Sequence, residues 1–412
     1  MRIHPDSFAF TLLLGLLSAL PTFGIDMILP SLSATGADLG APPADVGLAM
    51  SVYLLSLGAS LLAYGPVSDR FGRKPIVIFG CALVIFASAG CILARSLPQL
   101  LLFRALQGAG ASGPAMAAVT IVSDLFDGTT ARAKMSNVVF AINLVPMIAP
   151  TVGAALLAVS GWRTIYIVPI VGGTVLLGAM AAFSESARID PNLRLSPTTI
   201  VRDYFRVLRN PLCIGHLLCN AAATGAVFAY ITGSSLFFIN ALGLSAYQYG
   251  LIFGASSLSI MIGTLVNKRI DGWGASPGQA IAIGLTLSTV MATFLLMMAI
   301  MGGRSIAVVI SVMVGVGSSF GLISPNAMNA ALRPIPDIAG SISAVMAFVQ
   351  MIAAASSSAF VALLFDGRSA LSMAVVMLAS CLLAIAAYVC VVGPAERFTP
   401  LPDYKDSPGE KP

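Results

Sequence analysis

Two ionisable side chains, Asp26 and Arg104, stand inside apolar stretches long enough to cross a bilayer. A charge at such a position costs about 2.5–3.5 kcal/mol on insertion scales, which makes each one a functional candidate. Asp26 lies four residues before Pro30, roughly 6 Å below the outer end of the first span at 1.5 Å per residue. Arg104 lies five residues after Gln99, roughly 7–8 Å below the outer end of the fourth span. At matching depth the two can face one another directly or across water. Loss of water favours the neutral form of a carboxyl, and a nearby guanidinium favours the charged one. That balance would let Asp26 take and release a proton near neutral pH. Moving one charge through 100 mV is worth about 2.3 kcal/mol, enough to drive uptake or expulsion of a solute. The competing reading is a static ion pair that only holds two helices together.

The elements that must position these groups follow from composition. Hydrophobic residues make up 58% of the 412, only 9% are charged, and the mean hydropathy is +0.94. Apolar runs of about 20 residues span a hydrocarbon core. They fall at approximately 8–30, 46–66, 75–94, 99–122, 136–159, 163–184, 211–235, 247–266, 278–301, 305–329, 341–364 and 370–392. These twelve must be helices, because lipid offers no partner for unpaired backbone groups. The expected class is an all-α membrane protein. With the N-terminus inside, seventeen Lys and Arg residues fall in the cytoplasmic segments and four (Arg95, Arg163, Arg304, Arg368) on the other side. This sorting predicts that both termini are cytoplasmic, and it makes the net charge of +5 a topology signal rather than a nucleic-acid one. The first span is too long for the apolar core of a cleavable signal and contains Asp26. The six cysteines lie in apolar helices without metal-type spacing and read as packing or lipid-facing thiols.

The longest polar connection, 185–210, divides the chain into an N-terminal six-helix bundle (1–184) and a C-terminal one (211–393), with a short polar tail at 394–412. Ser196-Pro197 is an N-cap followed by a first-turn proline. Ile200, Val201, Tyr204, Phe205 and Leu208 then recur at helical spacing opposite Arg202, Arg206 and Arg209, as in a helix lying on the membrane surface. A disordered linker is the alternative. Gly263-x-Leu265-x-Asn267 follows the eighth span where Gly65-x-Val67-x-Asp69 follows the second, an echo expected of duplicated halves that hold a substrate near the midplane. Tyr53, Asn143, Phe228, Tyr230, Asn326 and Gln350 are candidate cavity residues, as aromatic or amide groups within apolar helices; each serves equally well as a helix–helix contact.

Several motifs carry a resemblance. Gly65, Asp69, Arg70, Gly72, Arg73 and Lys74 fit a G-x-x-x-D-R-x-G-R-K loop between the second and third spans, which resembles the signature loop of the major facilitator superfamily. Asp26-Met27-Ile28-Leu29-Pro30 is similar to the D-M-x-x-P element of its drug/proton antiporters. Arg104-x-x-Gln107-Gly108-x-Gly110-Ala111 resembles the motif that carries a proton-relay arginine. Pro146, Pro150 and Gly153 resemble the exporter motif G-P-x-x-G-G, with alanines at 149 and 154 where glycines are usual; the prolines remove helical hydrogen bonds and would bend the fifth span as a hinge. The resemblance is to bicyclomycin- and chloramphenicol-resistance exporters. It implies two pseudo-symmetric bundles, the loop as a gate latch, a bacterial inner-membrane location and a monomer.

The sequence therefore predicts a proton-coupled exporter of small amphipathic compounds, powered by the proton gradient without a cofactor. Its partners would be a small-molecule substrate, protons and the lipid bilayer, with no nucleic acid. A proton-coupled nutrient importer uses the same Asp26 with both fluxes in one direction. A receptor or membrane enzyme is disfavoured, since no catalytic constellation or phosphate-binding loop is present.

Overall fold

In the computed structural model, which describes residues 4–5, 7–187 and 197–398, the described chain is built of helices. Ser196, most of the polar connection before it (188–196) and the tail from 399 onward lie outside the described residues. In chain order the helices are α1 (Phe8–Asp26), α2 (Leu32–Leu39), α3 (Pro43–Phe71), α4 (Arg73–Leu93), α5 (Leu97–Leu125), α6 (Gly128–Ser160), α7 (Ile167–Ala182) and α8 (Pro197–Arg209). They continue as α9 (Pro211–Ser235), α10 (Ala246–Gly272), α11 (Pro277–Ile300), α12 (Ile306–Leu332), α13 (Ala339–Leu363), α14 (Leu371–Ala387) and α15 (Gly393–Phe398). Among the described residues, twelve spans are long and apolar enough to cross a membrane. Several overrun the apolar cores read from sequence: α6 begins at Gly128 rather than near 136, and α5 reaches Leu125. The extra turns of α6 carry polar residues, among them Lys134, whose Nζ donates to the Pro5 carbonyl at 3.1 Å.

One departure affects the site. The first span is not a continuous helix to residue 30, because α1 stops at Asp26. Pro30 has no N–H to offer the Asp26 carbonyl, so the α-helical ladder ends there. A 3-10 turn at Leu29–Ser31 follows, with the Ser31 amide on the Ile28 carbonyl at 2.9 Å, and α2 carries the span to Leu39. Asp26 thus sits within the span rather than one turn from its end.

The spans pack as two bundles of six. In the first, α5 packs between α3 and α4, α1 lies on α6, and α7 backs α4; in the second, α9 is covered by α12, α13 and α14, while α10 and α11 flank α12. The bundles meet along α3 with α13 and α6 with α10. Glycines set how closely they approach. A Cβ on Gly58 would lie 2.5 Å from Met351, and one on Gly254 would meet the Met147 carbonyl. Hydrogen bonds between spanning helices of the two bundles run from mid-membrane to the end away from Asp69–Lys74. Ser235 Oγ donates to the Leu29 carbonyl at 2.5 Å, Ser33 Oγ to Asn240 Oδ1 at 2.7 Å, and Ser257 Oγ approaches the Pro146 carbonyl at 3.5 Å. Leu29, Leu32, Leu236, Phe237 and Phe238 are buried beside them. The far end of the seam is closed.

Candidate functional site

The site is assembled where the break in α1 meets the seam. Asp26, the last residue of α1, is only 3% exposed, and its carboxyl has no hydrogen-bond or ion-pair partner among the described residues. Three buried phenols lie within its electrostatic reach: Tyr53 from α3, Tyr230 from α9 and Tyr249 from α10. One comes from the first bundle and two from the second. Tyr249 also shares a 3.4 Å hydrogen bond with Ser234, beside the Ser235 that ties α9 to Leu29. A lone carboxyl away from water is costly when charged and tolerable when neutral. Its charge state therefore bears directly on how the two bundles meet.

Arg104, 1% exposed, projects from α5 into the first bundle. Its Nη1 donates to Gln107 Oε1 at 2.5 Å, its Nε to the Ala49 carbonyl at 3.3 Å, and its guanidinium lies 4.3 Å from the centroid of the Tyr53 ring. Gln107 Nε2 in turn donates to Ser88 Oγ at 2.7 Å, while Arg104 Nη2 is buried without a hydrogen-bond partner among the described residues. Of the two arrangements that matching depth allows, facing directly or across water, the direct Asp26–Arg104 pair is not formed among the described residues. Tyr53 packs on the guanidinium and lies within electrostatic reach of the carboxyl, its hydroxyl donating to the Pro21 carbonyl at 2.9 Å. Two glycines make room for it: a Cβ on Gly24 would lie 2.6 Å from the Tyr53 hydroxyl, and one on Gly108 would meet its carbonyl.

The other cavity candidates separate. Tyr53 is fully buried and belongs to the arginine's packing rather than to an open wall, whereas Tyr230 is buried within electrostatic reach of the carboxyl. Phe228 and Gln350 are half-buried in α9 and α13. Asn143 bonds back to its own helix at Val139 (2.8 Å). Asn326 spends its amide on Asn267 Oδ1 of α10 and on the Leu322 carbonyl, both at 2.7 Å, which makes the helix–helix contact of its two readings. Tyr249 and Ser88 were missed, and Gln107, named in the helix motif, was not read as the partner of Arg104. Tyr249 lies inside the eighth apolar run, so the rule that selected Tyr53 and Tyr230, an aromatic within an apolar helix, covers it as well.

In the charged loop Arg73 is the hub. It pairs with Asp69 at 2.5 Å and, through Nε, with Asp124 of α5 at 2.9 Å, and its Nη1 donates to Ser68 Oγ at 2.6 Å. Glu185 accepts from the Arg73 and Lys74 amides at 2.8 and 3.0 Å, satisfying the first free donors of α4. Lys74 Nζ donates to the Phe183 carbonyl at 2.9 Å. Gly72 has φ +97 and a Cβ there would strike Glu185, so both backbone and space demand glycine. Arg70 is exposed and stacks 5.4 Å from the Phe71 ring, and Gly65 has open space around its Cα. Asp124 and Glu185 were not anticipated, although they are the acids at the ends of the fourth and sixth spans nearest the basic loop. In the second bundle the Asn267–Asn326 bond joins α10 to α12 much as Arg73 joins α3 to α5.

The expected hinge residues lie within one unbroken helix. α6 runs through Pro146 and Pro150; the latter leaves the Pro146 carbonyl without its helical donor, and Ser257 of α10 approaches that oxygen. A Cβ on Gly153 would lie 2.5 Å from the Met27 carbonyl, so this glycine sets the approach of α6 to the turn beside Asp26.

Twelve spanning helices in two bundles, meeting at a buried and unpaired carboxyl, define a membrane transporter. Residues 12–358 match the model of the Major Facilitator Superfamily, and the chain belongs to that family. It is 27% identical to the bicyclomycin resistance protein homolog of Haemophilus influenzae over 88% of this chain and 91% of that protein. It is 30% identical to the multidrug transporter MdfA of Yersinia pestis, over 69% of this chain and 73% of that one. Among solved structures it resembles a bacterial homolog of the human lysosomal transporter Spinster, with a TM-score of 0.74 at 15% identity over 97% of this chain and 98% of that one, a likeness of fold.

Proposed function

We propose that this protein is a proton-coupled exporter of small amphipathic compounds from the bacterial cytoplasm. The observation that carries the reading is Asp26: a carboxyl without a partner, on the seam, among tyrosines from both bundles. The relatives named for bicyclomycin resistance and multidrug transport support the substrate class. The basic end faces the cytoplasm, as the Lys and Arg sorting argues, so the state described is closed to the outside. When the outer end opens, Asp26 takes a proton and becomes compatible with burial. As the bundles 1–184 and 211–393 rock about the seam, Pro146 and Pro150 supply compliance in α6. The carboxyl then gives up its proton to the inner side when substrate and water reach it. Arg104, held by Gln107 and Tyr53, is a fixed positive charge that stabilises the deprotonated state. The Asp69–Arg73–Asp124 hub keeps α3, α4 and α5 moving as one piece, with 185–210 as the strap between bundles.

The test uses everted membrane vesicles. Adding an exported compound is expected to release protons from the lumen, and Asp26→Asn is expected to abolish that release while the protein still inserts. Proton movement in the same direction as substrate would overturn export, and full coupled transport by Asp26→Asn would remove the site. A growth-inhibition panel across antibiotic classes, with and without the protein, identifies the compounds to use.

A further inference from the structure

We propose that α8 is a membrane-surface strap whose arginines bind the phosphates of anionic phospholipids, in competition with Asp337 for Arg206. Its two sides are used differently. On the protein side, Tyr204 donates to the Leu62 carbonyl of α3 at 3.0 Å. Val207 is fully buried among Cys213, Leu217, Ala331, Ile342 and Val345. The strap packs on α9 and α13 of the second bundle, so the Tyr204 bond crosses to the first. The sequence pattern assigned Tyr204 to the same apolar face as Val201, Phe205 and Leu208. In the structure the helix splits that face, with Tyr204 and Val207 turned in and the other three about half exposed.

Val201, Phe205 and Leu208 follow at i, i+4 and i+7, one continuous exposed stripe. Arg202, Arg206 and Arg209 repeat the same spacing one residue on, so a row of guanidiniums borders a row of hydrocarbon. α8 ends at Arg209, and the spanning helix α9 begins two residues later at Pro211. That places both rows at the boundary between headgroups and acyl chains, where the apolar row enters lipid and the guanidiniums meet phosphate. The local charge is unbalanced in favour of an anion. Three arginines face two acids: Asp203, half-buried beneath Arg202 and Arg206 at 3.9 and 3.7 Å, and Asp337, which takes Arg206 at 2.8 Å. Arg209 has no ion-pair partner among the described residues.

Asp337 lies in the short turn Pro336–Ile338 that leads into α13, the helix packed along α3. Its bond to Arg206 fixes the rotation at which Tyr204 reaches Leu62. A phosphate that captures Arg206 releases this clamp and loosens the tie across the bundles. Membrane charge would thereby adjust how easily the basic end of the seam opens.

Native mass spectrometry of the purified protein, titrated with phosphatidylglycerol or phosphatidylcholine, tests the idea. Wild type is expected to prefer phosphatidylglycerol. Each arginine near an anionic headgroup contributes about fivefold, so Arg202→Gln with Arg209→Gln should cut that preference at least tenfold. Asp337→Asn removes the competitor and should raise phosphatidylglycerol affinity about fivefold without touching the arginines. An unchanged preference in the double variant would overturn lipid binding, and an unchanged affinity in Asp337→Asn would overturn the competition. Because Asp337→Asn calls for a gain, a folding defect cannot imitate the expected result.

Discussion

Gly24→Ala offers a sharp test of how Tyr53 is held between the carboxyl and the guanidinium. A Cβ at residue 24 would lie 2.6 Å from the Tyr53 hydroxyl, 2.9 Å from Cζ and 3.0 Å from Cε2. Unbonded heavy atoms rest at about 3.5–4.0 Å, so the ring must retreat by about 1 Å. It cannot do so freely, because Arg104 covers one face and Gly108 of α5 is packed on its backbone. The 2.9 Å bond to the Pro21 carbonyl then stretches past useful range, a loss of about 1 kcal/mol, and the stacked guanidinium, worth up to about 2 kcal/mol when desolvated, loosens. Gly24→Ala is therefore expected to destabilise by about 2–3 kcal/mol, within the span seen for overpacked cores. Tyr53→Phe alone removes one hydrogen bond, about 1 kcal/mol. In the double variant the closest atom is gone, so the two costs should fall short of their sum by about 1 kcal/mol. Denaturant titration in mixed micelles, followed by fluorescence, measures all four proteins. Strict additivity, to within about 0.3 kcal/mol, would refute the proposed crowding.

Other perturbations follow from the same contacts. Arg104→Lys should lower coupled transport by about tenfold or more, because an ammonium cannot reproduce the fork that reaches both Gln107 and Ala49; initial rates in vesicles, with expression matched, check it. Glu185→Ala leaves the first amides of α4 without acceptors and should cost about 1–2 kcal/mol, seen as earlier thermal loss of monodisperse protein. Gly254→Leu places bulk against the Met147 carbonyl and should hold the far end apart, which cross-linking of Ser33→Cys with Asn240→Cys would report as a lower yield.

What the sequence makes plain is what lipid dictates. Charges are scarce, so Asp26 and Arg104 stand out, and both prove to be buried. Apolar length calls for twelve helices, and twelve spans are present. Partners are harder to read, because they depend on where helices cross. Arg104 and Gln107 share a helical face and could have been paired from spacing alone, but Ser88 and Ala49 reach Arg104 and its glutamine only through packing of α3 and α4 on α5. The turn after Asp26 was encoded in Pro30, whose missing donor acts four residues back; apolarity alone runs straight through it. Asn326 looked like a cavity amide because nothing in its own span reveals Asn267, 59 residues away.

The two bundles fasten their paired helices with different chemistry. On one side a guanidinium is gripped by two carboxylates; on the other, two neutral amides meet at the corresponding place. The first kind of joint depends on charge and, with Arg73 10% and Asp124 19% exposed, is shielded from most salt screening; the second carries no charge at all. Near-symmetric halves of this kind answer differently to a change of charge at the same place: neutralising a carboxylate loosens one joint and has no counterpart in the other. A carrier that must work in a definite direction could exploit that inequality without any difference in its folds.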